Sequence, residues 1–462
     1  MKQQPELVKG LGLYGATSVV VGTMIGTSIF LVPSIMLRHV GRPTVVIGVW
    51  IFAGILSLSG ALGYAELGGA IPETGGEYVY LRRAYGRMTG FVYGWTQFVV
   101  AKSASVAAIA TAFMLYLTYF FPGLCSDIWT WQDSIAGRTL TLRLTGLQFG
   151  ATLMVLLVSG LNVLGVRRSG AVQTVFTLSK LGVLAVLIVL GLVLGHGSFS
   201  HFYQSVPHDA RESFIAGAGV ATVSALWAYD GWNNLSMVSG EVENPQRNMP
   251  RAIVLGTLLV AIVYILANVA YFYVLAPSDA AGTQTIAADA ARRFLGGAGG
   301  TFVAIGVLIS TFATLNGSTL AGSRIPYALA CDGLFPQAVR RVNQRFRTPE
   351  VSIGLQACIA GVFALTGQYE ALFTKVIFAE FLFYALVTAG IIVLRRREPD
   401  LARPYKTLGY PIVPIIFIVL SLLFLANTFR ERRTDSLWGL GLVGSGIPAY
   451  YLWSIWKRRM NS

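Results

Sequence analysis

The stretch GTMIGTSIF, Gly22 to Phe30, lies inside an apolar run long enough to cross a membrane. It nevertheless places Gly22, Thr23, Gly26, Thr27 and Ser28 within seven positions. Glycine in a helix interior costs roughly 1 kcal/mol relative to alanine. In hydrocarbon, every backbone N–H and C=O released by a break must also find a partner inside the protein. An interruption at this depth is therefore expected to serve a purpose.

The rest of the chain sets the context. Of 462 residues 54% are hydrophobic and 12% charged, with a mean hydropathy of +0.63, too little charge for a soluble surface of this size. Apolar runs of roughly 20 residues, each able to span about 30 Å of hydrocarbon, recur throughout. They predict an all-α polytopic membrane protein with spans near 12–38, 43–70, 90–120, 144–165, 171–194, 214–239, 251–276, 300–322, 350–366, 370–394, 408–428 and 437–456. The first ten residues are polar and no small-residue cleavage site follows the first run, so that run is expected to stay as a permanent span. The formal charge of +14 is explained by topology. Lys and Arg favour one set of alternate loops by roughly two to one, which puts both termini on the cytoplasmic side and leaves Lys102, Lys180 and Lys375 inside spans. No basic helix with interleaved aromatics stands outside the membrane, so no nucleic-acid partner is expected. Cys125, Cys331 and Cys358 are too scattered for a disulfide framework or a metal site. His39, His196, His201 and His208 lack metal-ligand spacing, and no GxSxG, HExxH or phosphate loop appears. An enzyme, a cofactor and a bound metal are all unexpected, and no repeated filter or charge ring suggests a channel.

Span 6 carries a second interruption. It reads SALWAYDGWNN, with Asp230 and Gly231 in mid-membrane. Five spans separate the start of span 1 from that of span 6, an odd number that reverses direction. Paired breaks in this relation are the hydropathy mark of an inverted repeat with a solute site between the broken helices. The half-helix starting near Ile29 would offer free N–H groups to an anion, and unwinding over Ala228–Gly231 would expose carbonyls to an ammonium. An anion site beside a cation site describes a zwitterion, hence an α-amino acid. The alternative is that Gly22 and Gly26 only permit close helix packing.

With these residues, the segments YAELGGAIPETGGEYVYLRRAYG, EVENPQRNMPRAI and RRREPDLARPYKTLGYPIVP complete a specific set in order along the whole chain. The chain resembles the amino acid–polyamine–organocation superfamily, and within it the L-type amino acid transporters and their bacterial exchangers. The resemblance implies the LeuT-type fold: a five-plus-five inverted repeat over 12–194 and 214–394, then two further helices over 408–456, working by alternating access in the cytoplasmic (inner) membrane. It places carboxylate-binding amides on Gly26, Thr27 and Ser28, and ammonium-binding carbonyls on Met24, Trp227 and Asp230, with Ala228 in the same unwound segment. Trp227 would cap the substrate and Asn233 would line the side-chain pocket. Ser28 departs from the family's usual glycine and points to a small substrate.

Lys180, about nine residues into span 5, is a costly intramembrane charge. In the L-type group a lysine at the matching position takes the place of a sodium ion, which implies sodium-independent transport; a structural pairing with a neighbouring carbonyl is the alternative. Asp230 has three readings: recognition of a cationic side chain, proton transfer, or capping of a half-helix. Lys102 and Glu380 are either a structural pair or, with Tyr229, part of gating or coupling. Span 8 presents Ser310, Thr311, Thr314, Asn316 and Ser318, of which Thr311, Thr314 and Ser318 share a face. Asn244-Pro245 and Pro250 are expected to break the helix, with Arg247 pairing to Glu241 or Glu243. Cys125 falls where animal members bind a glycoprotein subunit, although nothing in the sequence requires an accessory subunit. The expected function is a sodium-independent exchanger of small to medium neutral L-amino acids. The alternatives are a proton-coupled carrier of cationic amino acids or polyamines, and an amino acid sensor on the same fold.

Overall fold

The structure is a computed structural model and describes residues 7–135, 138–207, 214–366, 369–431 and 433–461. His208 and the side chain of Lys375 lie outside the described residues.

Helices follow the apolar runs. The first run gives α1 (Leu13–Met24) and α2 (Ser28–Val40), separated at residues 25–27, and Pro43 at the first helical position starts α3 (Pro43–Ala70). After α4 (Glu77–Tyr85) comes a long span made of α5 (Arg87–Thr96), a π-helical turn (Gln97–Ala101) and α6 (Lys102–Leu117). A Thr145–Gln148 capping box opens α7 (Gly146–Val163), and α8 (Val166–Leu194) follows. The sixth run is again split, into α9 (Phe214–Ala228) and α10 (Asn234–Met237). Next come α11 (Pro245–Val274), two short helices α12 (Pro277–Gly282) and α13 (Ile286–Leu295), and then α14 (Ala298–Gly322) extended by α15 (Arg324–Cys331). The chain closes with α16 (Glu350–Thr366), α17 (Tyr369–Arg397), α18 (Ile412–Glu431) and α19 (Arg433–Asn461).

Helical segments thus occupy the places of all twelve expected spans. Among the described residues nine stretches are long and apolar enough to cross a membrane, while Phe214–Ala228 and Glu350–Thr366 are shorter apolar helices. One local expectation is corrected. Pro250 does not break its helix: α11 starts at Pro245 and runs through it, since that early position forfeits a single main-chain bond. Between the spans, β1 (Asp127–Ile135) and β2 (Arg138–Thr145) form an antiparallel hairpin that joins α6 to α7. The alternation Leu140, Leu142, Leu144 is the strand signal there.

The two interruptions meet. In α1, Thr23 Oγ1 stands 2.9 Å from Gly231 O, across at the break between α9 and α10, and 2.8 Å from Val19 O in its own helix. Gly231 has φ +120°, and a Cβ on it would stand 2.9 Å from the main-chain carbon of Thr23. Only glycine fits both the conformation and the approach. Gly231→Ala is expected to cost about 2–4 kcal/mol from backbone strain and overpacking. Gly26→Ala, whose Cβ would meet nothing closer than 3.8 Å, should cost little; thermal unfolding of both purified variants in detergent checks the contrast. Gly22 differs again, since a Cβ there would stand 2.0 Å from Gln173 Nε2. For Gly22 the close-packing reading holds, against α8.

Candidate functional site

At the first break α1 ends on Ile25, whose ψ of 94° turns the chain out of the helix. Several of the carbonyls this turn releases are engaged by side chains of other helices. Lys180 Nζ, fully buried on α8, donates to Gly22 O at 2.8 Å and Ile25 O at 2.5 Å, and reaches Ser310 O on α14 at 3.1 Å. Thr314 Oγ1 stands 3.0 Å from Gly22 O and from Ile25 O, and Ser310 Oγ stands 2.9 Å from Ile25 O and 3.1 Å from Gly26 O. One ammonium therefore ties α8 and α14 to the unwound segment, as a bound cation would. On the other side of the break the amides of Gly26, Thr27 and Ser28 precede any carbonyl that α2 offers, the arrangement that suits an anion.

At the second break α9 stops at Ala228, and the Asp230 amide turns back to Trp227 O at 3.1 Å. The Tyr264 hydroxyl on α11 lies 2.8 Å from Met24 O and 3.0 Å from Ala228 O, bracing both broken helices. Asp230 does not cap a helix: its carboxylate accepts from Tyr384 Oη on α17 at 2.5 Å.

An open cavity lies between the breaks. It gathers Met24, Gly26, Thr27, Ser28, Trp227 and Asp230 with Lys102 and Ser105 of α6, Thr311, Thr314 and Ser318 of α14, and Glu380 and Phe381 of α17. Lys102 and Glu380, each 4% exposed, approach to 3.9 Å, and Gln97 Nε2 donates to the same carboxylate at 2.9 Å. The lining climbs α6 from Lys102 to Ala112, toward the hairpin end. The opposite end is shut. Gly10 and Leu11 amides donate to Glu241 O, the Glu243 amide donates to Leu11 O at 2.9 Å, and Arg324 pairs with Glu241 through bonds of 2.7 and 2.9 Å with both side chains fully buried. Arg324, not Arg247, is thus the partner of Glu241.

Three expected site residues face elsewhere. Ala228 and Tyr229 are buried behind the break, and the Tyr229 hydroxyl donates to Trp50 O at 3.2 Å. Asn233 is turned away, its Nδ2 standing 3.4 Å from both Glu77 oxygens, while its neighbour Asn234 lines the cavity. The reason is the positive φ of Gly231, which re-sets the direction of the residues after it. Asn316 serves a separate buried network with Asn162, Ser169 and Gln173. Thr23 belongs to the interruption legible in the sequence, whereas Tyr264, Tyr384, Gln97 and Arg324 do not stand out there. Of these four, only Arg324, a charge at the end of an apolar run, carries any signal. Cys125 is exposed and a free thiol. Among the described residues no cluster of His, Cys, Asp and Glu could hold a metal ion.

A model of the amino acid permease family matches residues 11–447. The chain is 32% identical to the serine/threonine exchanger SteT of Bacillus subtilis, over 96% of this chain and 97% of that protein. It is 32% identical to the mouse b(0,+)-type amino acid transporter 1, over 98% of this chain and 89% of that one. With the mouse large neutral amino acids transporter small subunit 2 it shares 33% identity, over 98% of this chain and 82% of the relative.

Proposed function

We propose that this chain, which belongs to the amino acid permease family, is a multi-pass membrane transporter that exchanges small to medium neutral L-amino acids. The observation that carries the reading is the joined pair of breaks. The amides of Gly26, Thr27 and Ser28 take the substrate carboxylate, and carbonyls of Met24, Trp227 and Asp230 take its ammonium. The Thr23–Gly231 bond keeps the two half-sites at one spacing, so a carboxylate and an ammonium on adjacent carbons are recognised together. Trp227 closes over the substrate from the open side. Exchange follows by alternating access: the closure built on Leu11, Glu241 and Arg324 opens as the hairpin side closes. The inverted repeats are 12–194 and 214–394, followed by two helices over 408–456. Both termini face the cytoplasm of a cell whose inner membrane holds the protein, as the Lys and Arg distribution supports.

Lys180 stands in for a mobile cation, so transport needs no sodium. Replacing sodium by choline on both sides of a proteoliposome is expected to leave the initial rate of labelled alanine exchange unchanged; a rate that falls to background without sodium contradicts this role for Lys180. The cationic-substrate reading is less well supported. Asp230 already accepts from Tyr384, and Lys102 stands 3.9 Å from Glu380, so a guanidinium or polyamine reaching that carboxylate would meet a like charge beside it. Competition of alanine uptake by arginine and putrescine tests this, with no inhibition expected. A sensor on the same fold would bind alanine but move none across the membrane. No accessory subunit is needed for the site, which is complete within one chain.

A further inference from the structure

The proposed substrate backbone site leaves one end of the cavity without a role. There a charged pair, Lys102 and Glu380, faces the same space as Trp227 and Asp230. We infer that Lys102 and Glu380 form a side-chain subsite that selects short amino acids with a hydroxyl or carboxamide over large apolar ones. This rests on the amino acid reading above and adds its substrate class.

The pair is built for contact and is incomplete without it. Lys102 is 4% exposed as a residue, and its ammonium carries three donors. Its nearest anionic oxygen, Glu380 Oε1, is 3.9 Å away, beyond hydrogen-bond range. Gln97 holds Glu380 Oε2 at 2.9 Å, which fixes the carboxylate and leaves the Oε1 side turned to Lys102. The π-helical turn makes this geometry. Gln97 and Lys102 are five residues apart, and in an α-helix they would point about 140° away from each other. The turn over Gln97–Ala101, with the Lys102 amide bonded to Gln97 O, brings both onto Glu380; such turns recur at functional sites.

A hydroxyl placed between the two charges donates to Glu380 Oε1 and accepts from Lys102 Nζ. A carboxamide does the same through its NH₂ and C=O. A leucine or phenylalanine side chain would cover the pair and offer neither bond, so buried charges would stay unsatisfied. Alanine touches only the backbone site and serves as the internal reference.

The test is competition against labelled alanine exchange in proteoliposomes by serine, threonine, asparagine, leucine and phenylalanine, for wild type, E380Q, K102Q and K102M/E380L. Wild type is expected to favour serine over leucine. In K102M/E380L the serine-to-leucine affinity ratio should fall about 10- to 100-fold, as expected for a lost hydrogen bond to a charge, whatever the overall rate. If that double variant does not fold, the isosteric E380Q and K102Q should each lower the serine-to-alanine ratio several-fold. Ratios equal to wild type in every folded variant overturn the subsite. So does a uniform loss for all substrates, the signature of a gate. Absence of alanine exchange by the wild-type protein would instead sink the transport reading itself.

Discussion

Substituting Lys180 by alanine is expected to lower alanine exchange by about two orders of magnitude, the effect of losing a charge-assisted set worth ~3 kcal/mol. The loss arises at the break. Lys180 Nζ is the one cation reaching Gly22 O and Ile25 O among the described residues, and without it those carbonyls keep only the hydroxyls of Thr314 and Ser310. The unwound segment then drifts, and with it the amides of Gly26, Thr27 and Ser28. Lys180→Arg is not a rescue, because a forked guanidinium does not fit a site shaped for a compact ammonium. Initial rates in proteoliposomes, set against the amount of reconstituted protein, provide the check. Unaltered exchange by Lys180→Ala would reduce Lys180 to a structural tie.

Arg324→Ala should damage the fold more than any surface change. Arg324 and Glu241 are both fully buried and joined by two bonds. Removing the arginine strands a carboxylate in the core, at a cost of about 3–5 kcal/mol. Replacing both partners, as Arg324→Met with Glu241→Leu, removes the stranded charge and should recover most of that stability. Detergent-solubilised yield and thermal unfolding report both outcomes. A single variant as stable as wild type would show that the pair contributes nothing.

The membrane architecture was legible because length and apolarity dictate it: the span read as 43–70 is the helix Pro43–Ala70, and that read as 350–366 is Glu350–Thr366. The breaks were legible for the converse reason, since glycine and polar residues interrupt two spans in inverted relation, a pairing that close helix packing alone does not require. What escaped depends on contacts between distant elements. That Lys102 meets Glu380 is set by the π-helical turn, which leaves no mark in apolar spacing. That Asn234 and not Asn233 lines the cavity follows from the backbone turn at Gly231, a one-residue matter that no hydrophobic period records. Arg247 is the arginine nearest to Glu241 in its own loop, whereas the buried partner comes from 83 residues away. The hairpin over 127–145 is masked in the sequence because its alternation runs directly into the apolar span beginning at 144.

The most direct test of the joined half-sites is counterflow of labelled alanine into proteoliposomes, competed with alanine, ethylamine and propionate. Ethylamine lacks the carboxylate that Gly26, Thr27 and Ser28 are held to bind, and propionate lacks the ammonium assigned to the opposing carbonyls. Inhibition by alanine alone, with neither fragment effective even in large excess, is the predicted result. Full inhibition by either fragment would contradict a site that reads both charges at once.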